Sequence, residues 1–312
     1  MAPIPPTSAA GAAAGLAAGF AAAFLQSCSY VVSSRYVRES GRPAWTLLPP
    51  SFLLMGLAAL PLLAAVRPAD PAALAWRPAL EAATLSTLFC LAANAAMFFL
   101  LKHADSSRAS PLLALKVPML AAFWTFGLGR PCSAAQWLGV ALVVAAAALL
   151  AGAGRRLSRA AWGWLLATCA GYCVADWYIV RTFEAVAPAF PGFLARSLFS
   201  LALIYAVTGA ASAALLPFCR SFGAADWRRH ALPYAALWFA AMVVLYVCFA
   251  SCGLVLGNIV QSTRGLISVG LGWLVARAGR TDLEERVGSA VFARRVFAAL
   301  LLVAAVALYA AG

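Results

Sequence analysis

Ten apolar runs of about helix-spanning length, joined by short polar connections, leave this chain few folds to choose from. They lie at 10–33, 44–66, 80–101, 109–128, 134–153, 160–180, 193–216, 231–252, 255–276 and 294–311. A helix needs roughly 20 apolar residues to cross a bilayer. Only 11% of the 312 residues are charged while 64% are hydrophobic. A soluble fold of this length has nowhere to hide that much apolar surface. The expected class is an all-α integral membrane protein with ten transmembrane helices. The first ten residues, MAPIPPTSAA, contain no Lys or Arg. The basic region of a secretory signal is therefore missing, and the apolar stretch that follows reads as the first spanning helix.

The net charge of +13 comes from 23 basic residues scattered between the runs, without the basic face that nucleic acid requires. They read as topology signals. Connections after runs 1, 3, 5, 7 and 9, counted with the first turn of the run that follows, hold 16 of them, against 5 in the other connections so counted and the termini. That bias places the odd connections in the cytoplasm and both termini outside a multi-pass inner (plasma) membrane protein. The eight cysteines have no zinc spacing and read as small packing residues. No metal or cofactor is expected. The hydrolase motifs H-E-x-x-H and G-x-S-x-G are absent and His103 and His230 lie at run edges, so no enzyme activity is expected.

Sliding the chain against itself by 148 residues lays FFLLKHADSSRASPLLALKVPMLAAFW (98–124) over YVCFASCGLVLGNIVQSTRGLISVGLG (246–272) without a gap. Lys116 then falls on Arg264, and a shift of about 146 brings Arg35 onto Arg181. Each half, 1–154 and 155–312, would contain five helices. An odd number inverts the second half, as in many secondary transporters whose substrate site lies near the midplane between the halves.

The stretch KHADSSRASPLLALKVPMLAAFWTFGLGRPCSAAQWLGVALVVAAAALLAG (102–152) has an Ala/Ser-rich entry, a Pro-bearing helix, a Gly turn and S-x-x-Q-x-x-G leading into a uniformly apolar helix. With STRGLISVGLGWLVA and RRVFAALLLVAAVALYAAG in the second half, it resembles the drug/metabolite transporter superfamily in its ten-helix, EamA-like form. The resemblance implies two inverted five-helix repeats and transport of a small metabolite through a central cavity. The family often carries a Glu just after the fourth helix, where this chain has Arg130, Pro131 and Cys132.

Two buried cations carry the functional reading. A permanent cation at a helix centre costs about 2.5–3.5 kcal/mol on insertion scales. Lys116 and Arg264 at matched positions therefore call for compensation, either by an anionic or zwitterionic substrate or by the protein itself. Asp176, in AGYCVADWYIV, is the one carboxylate well inside an apolar run. It could carry a coupled proton, serve as counter-ion to Arg264 or Lys116, or pair with Arg181 at the end of its helix. Gln26, Tyr30 and Ser33 share a face of helix 1, either as cavity lining or as interhelical contacts. Asn94, Asn258 and Gln261 present the same alternatives, and Trp124 could line a cavity or simply pack. Pro118 is expected to kink helix 4, and Gly11, Gly15 and Gly19 form a close-packing face on helix 1. The featureless helices 5 and 10 would serve as peripheral or homodimer-facing supports. The alternative to a transporter is a structural or assembly protein in the bilayer whose cations are neutralised internally.

Overall fold

The computed structural model describes residues 9–101, 112–129, 131–151, 158–219, 222–265, 267, 270–271 and 289–311. No strand occurs among them, and each of the ten expected runs contains a helix. We number these α1 (Ala9–Ser40), α2 (Leu48–Ala65), α3 (Trp76–Leu101), α4 (Lys116–Ala122, after a 3-10 turn at Leu113–Leu115), α5 (Ala134–Ala151) and α6 (Arg159–Val186). They continue as α7 (Phe193–Leu215), α8 (Leu232–Cys252), α9 (Leu254–Ser262) and α10 (Ser289–Ala311). Among the described residues, five helical segments are long and apolar enough to cross a membrane, those of α1, α2, α3, α7 and α8. The long connection around 277–293, with Glu284 and Glu285, lies mostly outside the described residues, as does Trp273.

The helix ends follow local chemistry. Two prolines, Pro49 and Pro50, open α2, where a missing N–H costs nothing. The Ser133 hydroxyl accepts the Gln136 N–H at 3.2 Å, and the Gln136 side chain accepts the Ser133 N–H at 2.9 Å. The S-x-x-Q stretch is thus a capping box at the start of α5. Pro118 behaves differently from expectation. It sits in the first turn of α4, just after the 3-10 turn, so it starts a helix rather than kinking a running one. Between α8 and α9 the chain turns at Gly253 alone, with φ of 80°, a conformation in which a side chain would be strained.

The chain divides into two units, each assembled from both halves of the sequence. The first is Met1–Leu91 with Val174–Leu254, and the second is Ala92–Cys173 with Val255–Gly312. In the first unit α1 packs along α8, and α2 along α7. A Cβ on Gly15 would meet Cys252 Sγ at 2.5 Å, and one on Gly56 would meet the Gly209 Cα at 2.6 Å. Backbone touches backbone at that second crossing, the contact that small residues permit. Further links in this unit are Ser86 Oγ donating to Ala175 O at 3.0 Å and Thr87 bonded to Thr208 at 2.9 Å.

In the second unit α5 packs along α10. A Cβ on Gly139 would lie 2.9 Å from Ala305 O, so the Gly of S-x-x-Q-x-x-G is the point of closest approach between these helices. Leu100, Leu112, Leu113, Ala161, Leu165 and Cys169 form its buried apolar core.

Gly56→Val should lower the melting temperature of the purified protein, since overpacking a tight contact costs about 1–3 kcal/mol. Gly163→Ala, where nothing lies within 4 Å of the new Cβ, should leave it unchanged or raise it by the helix preference of Ala, about 0.5–1 kcal/mol. Ser133→Ala should cost about 1 kcal/mol by removing the cap on α5. Thermal unfolding followed by tryptophan fluorescence checks all three.

Candidate substrate site

Lys116 opens α4 and is 9% exposed. Its N–H closes the 3-10 turn onto Leu113 O. Arg264 follows a similar tightening in the repeat-equivalent stretch, where Thr263 N donates to Val260 O at 3.1 Å and the Thr263 hydroxyl to the same oxygen at 2.7 Å. Both cations therefore sit at an interruption of regular α-helix, where the ladder of backbone hydrogen bonds changes register.

The Lys116 ammonium donates to Gln261 Oε1 at 3.2 Å. It also stands 5.8 Å from the centre of the Tyr172 ring. Tyr172 in turn donates its hydroxyl to Asn94 Oδ1 at 3.1 Å. One polar network thus joins α9, α4, α6 and α3 within the second unit. The Cys173 thiol lies 3.3 Å from Lys116 O and fixes the backbone beneath the side chain. Arg264 is half-buried and belongs to the same unit as Lys116.

Magnitudes show what this network does. A hydrogen bond to a charged group contributes about 1.5–3 kcal/mol, and a desolvated cation–π contact up to about 2 kcal/mol. Together they are comparable to the insertion cost of the cation, about 2.5–3.5 kcal/mol. Neither an amide oxygen nor a ring face carries a formal negative charge. These two contacts stabilise the ammonium without neutralising it.

Six of the nine expected site residues, Lys116, Arg264, Gln261, Asn258, Asn94 and Trp124, belong to the second unit. Asn258 is 1% exposed on α9, one turn before Ser262, whose hydroxyl donates to its carbonyl at 2.9 Å. Trp124 is half-buried in the wide turn Phe123–Gly127 that ends α4. Tyr172 was not among the expected residues. The available signal was an aromatic with a polar tip in mid-run, four positions before Asp176.

Gln26, Tyr30 and Asp176 belong to the first unit. Gln26 is 1% exposed, and Tyr30 meets the Trp238 ring edge-on at 6.1 Å. Trp238 stacks on Tyr234 at 5.7 Å and donates its indole N–H to the Tyr205 hydroxyl at 3.0 Å. The neighbouring serines turn inward on their own helix: Ser27 donates to Ala23 O at 2.8 Å and Ser29 to Gln26 O at 2.7 Å. Asp176 is 9% exposed and lies ten residues before the end of α6, deeper than the sequence suggested. Arg181 pairs with Glu184 at 3.0 Å.

Lys116→Met should change stability little, because it removes the buried charge together with its contacts. Gln261→Leu, which strips a partner from the retained ammonium, should cost about 2–3 kcal/mol. The double variant should recover most of that loss, read as melting temperatures in a double-mutant cycle.

Residues 13–152 match the EamA-like transporter family. The resemblance read from the sequence is borne out over that stretch, which includes Gln26, Tyr30, Asn94, Lys116, Trp124 and the Ser133–Gln136–Gly139 motif. Among solved structures, a chain described only as "Crystal structure of protein" matches with a TM-score of 0.63 and 19% identity. The match covers 95% of this chain and 96% of that one, a likeness of fold. No match was found among curated proteins.

Proposed function

We propose that this chain, an EamA-like transporter over residues 13–152, is a secondary transporter that exports or exchanges a small anionic or zwitterionic metabolite. Its ten helices span the inner membrane as two inverted five-helix repeats, 1–154 and 155–312. The family match falls within the first repeat, which supports that boundary. Helix pairing supports the inversion. A shift of five helices maps α2·α7 and α5·α10 onto themselves. It maps α1·α8 onto α6·α3, a pair joined by the Ser86–Ala175 link and by Phe89 stacked on Tyr178 at 6.1 Å. The charge bias of the connections supports cytoplasmic odd loops and external termini.

The observation that carries the substrate class is Lys116, held by an amide and an aromatic ring in the unit that also contains Arg264. Two cations in one unit favour a substrate that carries a carboxylate or phosphate. Lys116 offers it a compact point charge and Arg264 a two-pronged fork. Asn94, Asn258, Gln261 and Trp124 join the same site.

A second reading follows from the same network. If Gln261 and Tyr172 are all that Lys116 needs, the cations serve packing, and the chain is a structural or assembly component of the membrane.

A thermal-shift screen of the purified protein against anionic, zwitterionic, neutral and cationic metabolites separates the two. Wild type and Arg264→Gln are run side by side. Transport predicts an anionic or zwitterionic ligand that raises the wild-type melting temperature and fails on a folded Arg264→Gln variant. Equal stabilisation of both proteins would remove Arg264 from the site. Failure of every anion and zwitterion would favour the structural reading.

A further inference from the structure

The end of α1 and the lead-in to α8, both in the first unit, build a basic surface that the transport reading does not use. The chain leaves α1 through Gly41, whose φ is 65°. Residues Ala224–Ala231 then return beside it. Arg42 Nη1 donates to Asp226 Oδ2 at 2.7 Å. The buried Tyr36 ring meets Phe222 at 5.8 Å and His230 at 5.2 Å, and Trp227 stands edge-on to Phe222 at 5.8 Å. This aromatic run fixes the lead-in against α1.

Among the described residues, five arginines lie at this end, Arg35, Arg38, Arg42, Arg228 and Arg229, against two carboxylates, Glu39 and Asp226. Both carboxylates are already engaged. Glu39 accepts Arg35 Nε at 2.6 Å with His230 Nε2 at 3.5 Å. Asp226 holds Arg42 and accepts the Gly223 N–H at 2.9 Å. The bond to Asp226 keeps the Arg42 guanidinium still more firmly protonated than usual. Arg228 and Arg229 are exposed, and neither makes a hydrogen bond or ion pair among the described residues. Arg38 is exposed on the last turn of α1. Bare apolar side chains adjoin this charge in the chain: Leu232 is 53% exposed, Trp45 40% and Phe218 74%.

We propose that Arg228 and Arg229, with Arg38 at the same end, bind the phosphate headgroup of an anionic phospholipid whose acyl chains lie along the apolar helix surface next to them. Guanidinium forks match phosphate oxygens in geometry and charge. Trp227, where charge gives way to hydrocarbon, is the residue type enriched at headgroup depth. Basic clusters at helix ends recognise acidic lipids in this way. A free phosphate would gain nothing from the apolar neighbours. A bound lipid would bridge the end of α1 to the lead-in of α8 and brace that helix pair. The inference depends on membrane embedding and not on what the protein transports.

The full-length protein in neutral detergent is titrated with phosphatidylglycerol, phosphatidylcholine, glycerol 3-phosphate and inorganic phosphate, following the melting temperature and the lipid retained in native mass spectra. Phosphatidylglycerol should stabilise the protein well beyond phosphatidylcholine, by an amount that falls as salt screens the contact. Arg228→Gln/Arg229→Gln should lose at least half of that gain while melting like wild type without lipid. Arg228→Lys/Arg229→Lys should keep most of it. Equal effects of the two lipids, an undiminished gain in the Gln variant, or a match by inorganic phosphate would overturn the proposal. Should the Gln variant fail to fold, wild type decides: a phosphatidylglycerol gain that high salt does not reduce overturns it.

Discussion

An apolar surrounding offers no hydrogen bonds, so every polar group carried into these helices must find a partner within the protein. The chain meets this demand in two ways at most of its described buried side chains, the Ser200 and Ser212 hydroxyls being exceptions. Many hydroxyls fold back on their own helix: Thr168 donates to Trp164 O at 2.8 Å, Thr182 to Tyr178 O at 2.8 Å and Ser197 to Phe193 O at 2.8 Å. Such groups are invisible to the neighbouring helices. Fewer reach across, as Thr87 does to Thr208 and Lys116 to Gln261. The second group ties helices together within each unit.

Between helices the close contacts are steric. Gly56 against Gly209 and Gly139 against Ala305 bring backbone to backbone, and Gly15 makes room for the side chains of Ser251 and Cys252. Without a hydrophobic driving force between helices in lipid, close packing supplies much of the association energy. The S-x-x-Q-x-x-G stretch that carried part of the family resemblance thereby acquires a physical meaning. Its Ser and Gln cap α5, and its Gly lets α5 lie against α10.

The cation network sits between structure and function. Gln261 and Tyr172 stabilise the Lys116 ammonium inside the second unit through an amide oxygen and a ring face. The placement of Lys116 and Arg264 beside tightened helical turns gives each cation a backbone less regular than its surroundings. The basic end of α1 and α8 deals with charge differently: there the arginines outnumber the carboxylates, and the excess faces outward.

Hydropathy marked where helices form, and each of the ten apolar runs contains one, because the length of an apolar run is a property of the chain and not of its neighbours. The spacing that lays Lys116 on Arg264 was likewise legible in the sequence. Other features were decided only in three dimensions. The helix α6 runs on to Val186, which moved Asp176 away from its end. Ser27 and Ser29 bond carbonyls of their own helix α1, a choice of rotamer that spacing does not encode. Tyr172 became the partner of Lys116 because α6 packs beside α4, a proximity between residues far apart in sequence. The division of the nine expected site residues between two units, each drawn from both halves of the chain, has the same cause: tertiary packing pairs α1 with α8 and α5 with α10, and no local pattern states which helices become neighbours.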